Sequence, residues 1–153
     1  PDGDLDVEFM GEFKQIAAGR ELTCHRAIDV SREPLEVMEQ LIAIGFHRIL
    51  TSGCKDKALD GIENIAELVS AAKGRIQIMA GSGVNPMNCL DFVQVGVDAI
   101  HLSARTTRNS KMDYRRPGIS MGGVEAISEF EVAYSSEEII RAAISKIQEL
   151  FSE

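Results

Sequence analysis

The sequence predicts an α/β fold of the (β/α)8 TIM-barrel type, with this chain supplying about four βα units as a single, partial barrel domain over 1–153. Three observations carry that reading. Amphipathic stretches alternate with short apolar runs. Gly19, Gly45, Gly74 and Gly96 mark the junctions at spacings of 26, 29 and 22 residues, the size of a βα unit. And polar, chemically capable residues collect at the C-terminal end of each apolar run, the end where barrel enzymes place their sites.

The helical segments follow in order. Leu5, Phe9, Phe13 and Ile16 recur at helical spacing. Leu35, Met38, Leu41 and Ile42 follow Pro34, which suits a first helical position. Leu59, Ile62, Ile65, Leu68 and Val69 form a third stripe after Asp56, read as an N-cap. Asn85-Pro86 opens a shorter helix carrying Leu90 and Val93, and Ser135-x-x-Glu138 reads as a capping box for the last helix. The glycines supply the left-handed residue that ends a helix without steric strain. Between the helices, 21–25, 48–52, 76–80 and 99–103 are too short for helices and sit where parallel strands belong. A longer irregular segment runs from 106 to about 134. A dinucleotide-binding fold would need GxGxxG after the first strand, and Cys24-His25-Arg26-Ala27 is nothing like it.

Composition narrows the function. With 16 Lys+Arg against 24 Asp+Glu the net charge is −8, which argues against nucleic-acid binding. No apolar run reaches a membrane span. Three scattered cysteines, Cys24, Cys54 and Cys89, do not make a disulfide scaffold and point to a reducing, cytosolic setting. There is no CxxC, HExxH or Gly-x-Ser-x-Gly pattern, so neither a zinc site nor the usual serine hydrolase is signalled.

The strand ends hold the candidate site. The first offers Thr23-Cys24-His25-Arg26, with Asp29 beyond; the second offers Thr51-Ser52-Gly53-Cys54. The third ends in Gly81-Ser82-Gly83 before a helix start, a turn whose backbone N–H groups could hold an anion, or a turn that merely needs glycine. The fourth adds His101, Ser103 and Arg105. From Arg105 to Arg116 five cations face one acid, Asp113: an anion clamp or a solvated loop. His25 and His101 could each be a metal ligand, a general base or a structural histidine, whereas His47 lies at the opposite end. Cys24 and His25 are adjacent on a strand and point to opposite sides, so Cys54 is the thiol placed to join His25. Cys89 reads as a core residue.

Cys24-His25-Arg26-Ala27-Ile28-Asp29, Leu50-Thr51-Ser52-Gly53 and Ile78-Met79-Ala80-Gly81-Ser82-Gly83-Val84 together resemble the copper homeostasis protein family CutC. His101-Leu102-Ser103-Ala104-Arg105 and Met112-x-Tyr114-Arg115 match its pattern too. The resemblance implies a TIM-type barrel, a cytoplasmic protein and a role in copper handling. Such barrels run to about 250 residues, so the expectation is the C-terminal half of one. Copper(I) prefers soft donors with imidazole in support, and Cys54, His25 and His101 are the ligands implied, with Met79 nearby. The alternative is an enzyme acting on a small phosphorylated or carboxylated substrate. There His25 and Asp29 would be acid–base groups, Gly81, Ser82, Gly83, Ser103 and Arg105 the anion site, and Arg26, Thr51 and Ser52 further mouth residues. Open sheet edges lead to an expectation of homo-oligomers.

Overall fold

The computed structural model describes residues 2–119 and 128–152. Four short strands, β1 (Thr23–Cys24), β2 (Arg48–Thr51), β3 (Gln77–Gly81) and β4 (Ala99–His101), lie in sequence order in one parallel sheet. The register aligns Cys24 with Ile49, Ile49 with Ile78, and Ala80 with Ile100. Helices α1 (Val7–Ile16), α2 (Pro34–Ile44), α3 (Ile62–Ala72) and α4 (Cys89–Gln94) alternate with the strands, as the glycine rhythm predicts. All four marker glycines take positive φ, from +71° at Gly74 to +90° at Gly45.

Alternation along the strands sorts side chains to two faces. Ile49, Ile78 and Ala80 are fully buried and pack in one cluster with Val37, Met38, Leu41, Ile65, Leu68 and Phe92 from the helices. Leu50, Met79 and His101 alternate to the other face, less covered, which in a closed barrel is the lumen. His47 stands at the N-terminal end, as its position predicts, where its Nδ1 accepts from the Leu22 N–H at 3.1 Å.

The segment read as irregular holds a hairpin instead: β5 (Arg105–Asn109) pairs antiparallel with β6 (Glu131–Ser135). Nearly every residue in it is exposed, so no apolar alternation announces it. Its stability comes from cross-strand contacts, with the Arg108 guanidinium 5.3 Å from the Tyr134 ring centre. Residues 120–127 of that segment lie outside the described residues.

Three helix starts move. Asp56 is not the cap of α3: a 3₁₀ turn, Ala58–Gly61, comes first, and Gly61 occupies the cap position. The turn at Asn85-Pro86 delays α4 to Cys89. The last helix, α5 (Glu137–Leu150), is capped by Ser136 rather than Ser135; the Ser136 hydroxyl accepts from the Ile139 N–H and donates to Glu138. Ser135 is the last residue of β6, and its hydroxyl donates to the Ser103 carbonyl.

Candidate functional site

The end of β1 is built around Asp29. His25 Nδ1 accepts from the Ala27 N–H at 3.0 Å, opening a 3₁₀ turn, Arg26–Val30, that carries Asp29 back against the end of β2. The carboxylate side chain is 4% exposed and meets five donor groups. They are the Thr51 hydroxyl at 2.5 Å, the Ser52 N–H at 3.0 Å, the Ser52 hydroxyl at 2.8 Å, the Cys54 N–H at 3.2 Å and Arg26 Nε at 2.8 Å. Burial alone would push this carboxyl up. The bonds from Thr51, Arg26 and Ser52 outweigh it and hold the group below its ordinary value. Asp29 therefore stays ionised and acts as an anchor between two strand ends. No hydrogen bond joins it to His25, so the acid–base pair drawn from sequence is not assembled as a pair.

Arg26 completes the anchor. Its Nη2 donates to the Ser52 hydroxyl at 2.7 Å and to the Lys55 carbonyl at 3.0 Å. The loop it clasps is tight: Gly53 has φ +67°, and a Cβ there would lie 2.1 Å from the Gly61 carbonyl oxygen. Cys54 follows at φ +61°, exposed to solvent.

Beside this anchor, at the C-terminal ends of β2, β3 and β4, lies a cleft of about 540 Å³. Arg26, His101 and Arg105 line it with Ser82, Gly83 and Ser103; among the described residues no carboxylate does. Apolar walls come from Leu50, Val84, Leu102 and Ile139. Arg105 makes no ion pair among the described residues. The basic run read from sequence thus divides. Arg105 faces the cleft, while Arg108 and Arg115 stack on the hairpin rings of Tyr134 and Phe130.

The glycine turn contributes differently from its sequence reading. Gly81 does not line the cleft; a Cβ there would lie 2.6 Å from Leu50 Cδ1 and 3.3 Å from His101 Cβ, so a side chain at this position would have to displace the tip of Leu50. The donors at the helix start are already used. Asn88 Oδ1 accepts from the Asn85 N–H, and Asn85 Oδ1 from the Met87 N–H, each at 2.8 Å. Upstream, the N–H groups of Gly83 and Val84 make no hydrogen bond among the described residues. The Ser82 hydroxyl donates to the Asp56 carbonyl at 2.6 Å, and Ser82 itself sits at φ +87°, a costly angle for a residue with a side chain.

A resident copper site does not fit these residues. Among the described residues no three His, Cys, Asp or Glu side chains converge to hold a metal ion. His101 lines the cleft; His25 lines a separate apolar groove with Thr23, Cys24, Phe9 and Phe13. Cys24 and Cys89 are buried. Burial, followed by the charge of Asp29, pushes the Cys24 and Cys54 thiols up, away from the thiolate a soft metal requires.

Comparison with known proteins decides the family. The CutC family model matches residues 1–106. The chain belongs to the CutC family. It is 42% identical over 149 residues to a CutC family protein of Porphyromonas gingivalis, covering 97% of this chain and 60% of that protein. It is 36% identical over 148 residues to the human copper homeostasis protein cutC homolog, covering 95% of this chain and 54% of the human protein. The crystal structure of CutC from Streptococcus agalactiae superposes with a TM-score of 0.62 at 32% identity, over 65% of this chain and 50% of that one. The chain thus spans little more than half the length of these CutC relatives, and its four parallel βα units are of the TIM-barrel type. No described helix is long and apolar enough to cross a membrane.

The anchor and the apolar walls were the parts sequence reasoning missed. Arg26, Asp29, Thr51 and Ser52 were all candidates, but nothing local says that they bond to one another across 22 to 26 residues. Ile139 carries no signal at all, because its place in an amphipathic helix reads as core.

Proposed function

We propose that this chain takes part in copper homeostasis in the cytoplasm, as the names of its CutC relatives suggest, and that its barrel mouth works by binding a small anionic ligand. One observation carries the anion reading: a cleft with two arginines and a histidine in its wall and, among the described residues, no carboxylate and no hydrogen bond on the N–H groups of Gly83 and Val84, in a chain of net charge −8. Arg105, without an ion pair among the described residues, supplies the net positive charge. Gly83 and Val84 supply backbone donors of the kind that cradle anions. A charge-assisted contact contributes roughly 1.5–3 kcal/mol, so Arg105→Ala is expected to weaken bound phosphate about 10- to 150-fold. Calorimetric titration of the parent and variant with inorganic phosphate tests this. No binding to the parent at millimolar phosphate would remove the reading.

A second reading concerns copper(I) as cargo. Cys54 is the exposed thiol of the three, and His25 keeps Nε2 available once Nδ1 has capped its turn. Two exposed donors suit transient contact with Cu(I) rather than a resident site. Anaerobic competition with a Cu(I) chelator tests it: Cys54→Ser is expected to weaken Cu(I) retention and Cys89→Ser to leave it unchanged. Equal retention by both variants and the parent would discard the contact.

A further inference from the structure

The anion reading leaves most of the cleft unexplained. A bare phosphate or carboxylate fills one corner of about 540 Å³. That volume lies within the roughly 300–1,000 Å³ typical of small-molecule sites, where a few placed polar groups orient a mainly apolar ligand. Apart from Asn85, the remaining wall is apolar, made chiefly by Leu50, Val84, Leu102 and Ile139. These come from the ends of β2, β3 and β4 and from the first turn of α5, so the apolar surface is contiguous with the cationic one.

Arg26 differs from Arg105 in how it is held. Its Nε and Nη2 are spent on Asp29, Ser52 and Lys55, which leaves Nη1 without a hydrogen bond among the described residues, on a half-exposed side chain that lines the cleft. Its charge is balanced by Asp29, so it adds direction without adding net charge. Arg105 adds net charge without fixed direction. Such a pair, one group orienting and one neutralising, suits a small anionic head presented at a defined angle.

We infer that the cleft takes an organic anion: a phosphate or carboxylate head between Arg26 Nη1 and Arg105, on a compact apolar body lying against Val84, Leu102 and Ile139. This rests on the anion reading and goes beyond it by naming the ligand class.

The test titrates the 153-residue chain with phenyl phosphate against inorganic phosphate, and with benzoate against acetate. Covering one ring is expected to tighten binding about 10- to 100-fold over the bodiless anion. The head whose aryl form gains more is the one the cleft selects. Ile139→Asn and, on a different element, Leu102→Asn should each erase that gain, bringing phenyl phosphate to the affinity of inorganic phosphate measured on the same variant, with thermal unfolding by circular dichroism checking that both variants fold. Arg26→Lys should weaken both phosphates about tenfold. If phenyl phosphate binds no tighter than inorganic phosphate, the organic-anion proposal falls while the anion site stands. If Arg26→Lys changes neither affinity, the head is not seated on Arg26. If neither phosphate binds at all, both readings fall together.

Discussion

Asp29→Asn probes the anchor that sets the mouth. The variant keeps the shape of the side chain but replaces a charged acceptor oxygen with an amide NH2 that faces donors. Of the five donor groups around Asp29, the Cys54 N–H at Oδ1 or Arg26 Nε at Oδ2 then meets another donor, whichever oxygen is replaced. The Arg26 guanidinium loses its counter-charge as well. An unsatisfied buried donor costs about 1–3 kcal/mol and a charged hydrogen bond contributes about 1.5–3. Arg26 is partly exposed, which weakens its share, so the expected loss is about 3 kcal/mol. For a chain of this size that is a fall of about 6–12 °C in Tm by circular dichroism. The pH dependence gives a sharper signature. A carboxylate held below its ordinary value when folded stabilises fully above the unfolded pKa, about 3.9. That contribution drains as pH falls through the lower folded value. The parent–variant gap should therefore be full at pH 7 and shrink progressively below about pH 4, as protonated Asp29 comes to resemble Asn. Glu149→Gln, on the exposed end of α5, should stay within about 0.5 kcal/mol of the parent. A gap under 0.5 kcal/mol for Asp29→Asn, or one independent of pH, would refute the anchor.

Gly53→Ala should abolish folding, since its Cβ would lie 2.1 Å from a carbonyl oxygen at a positive φ; Gly61→Ala, with 2.2 Å to the Ser52 carbonyl oxygen, should do the same, and soluble expression with circular dichroism checks both. Gly11→Ala should instead stabilise by about 0.5–1 kcal/mol, because the position is inside α1 with nothing within 4 Å; a lower Tm would contradict that. Both β1 and β4 are edge strands among the described residues, so the chain is expected to sediment as a dimer or larger. A monodisperse, cooperatively unfolding monomer would count decisively against self-association.

How much was legible in the sequence follows from what each feature depends on. The four βα units were readable because the glycines at 19, 45, 74 and 96 act locally, on backbone angles and helix ends. The helix starts at Asp56 and Ser135 were misplaced by local signals that had a competitor. A 3₁₀ turn took the chain beyond Asp56, and the neighbouring Ser136 took the capping role that Ser135 could equally fill. The β5–β6 hairpin was invisible because its strands bury almost nothing, and hydrophobic alternation records burial, not strand geometry.

For the mouth, residue type was legible but availability was not. His25, Asp29, Ser52, Ser82 and Arg26 all read as chemically capable, yet each is bonded wholly or partly to the protein itself. Their partners, apart from those of His25, include groups 22 to 29 residues away, a distance no local pattern encodes. What distinguishes a ligand-binding group from a fastening is whether its donors are already spent. By that criterion Arg105, His101, Ser103, the free nitrogen of Arg26 and the N–H groups of Gly83 and Val84 stand apart. The fastened set aligns the strand ends, and the unspent set shares one cleft that, among the described residues, no acid lines. The cap reading and the site reading of these strand ends are therefore not rivals: the bonds at Asp29 and Ser52 are also what hold Arg26, a residue of the cleft wall, in place.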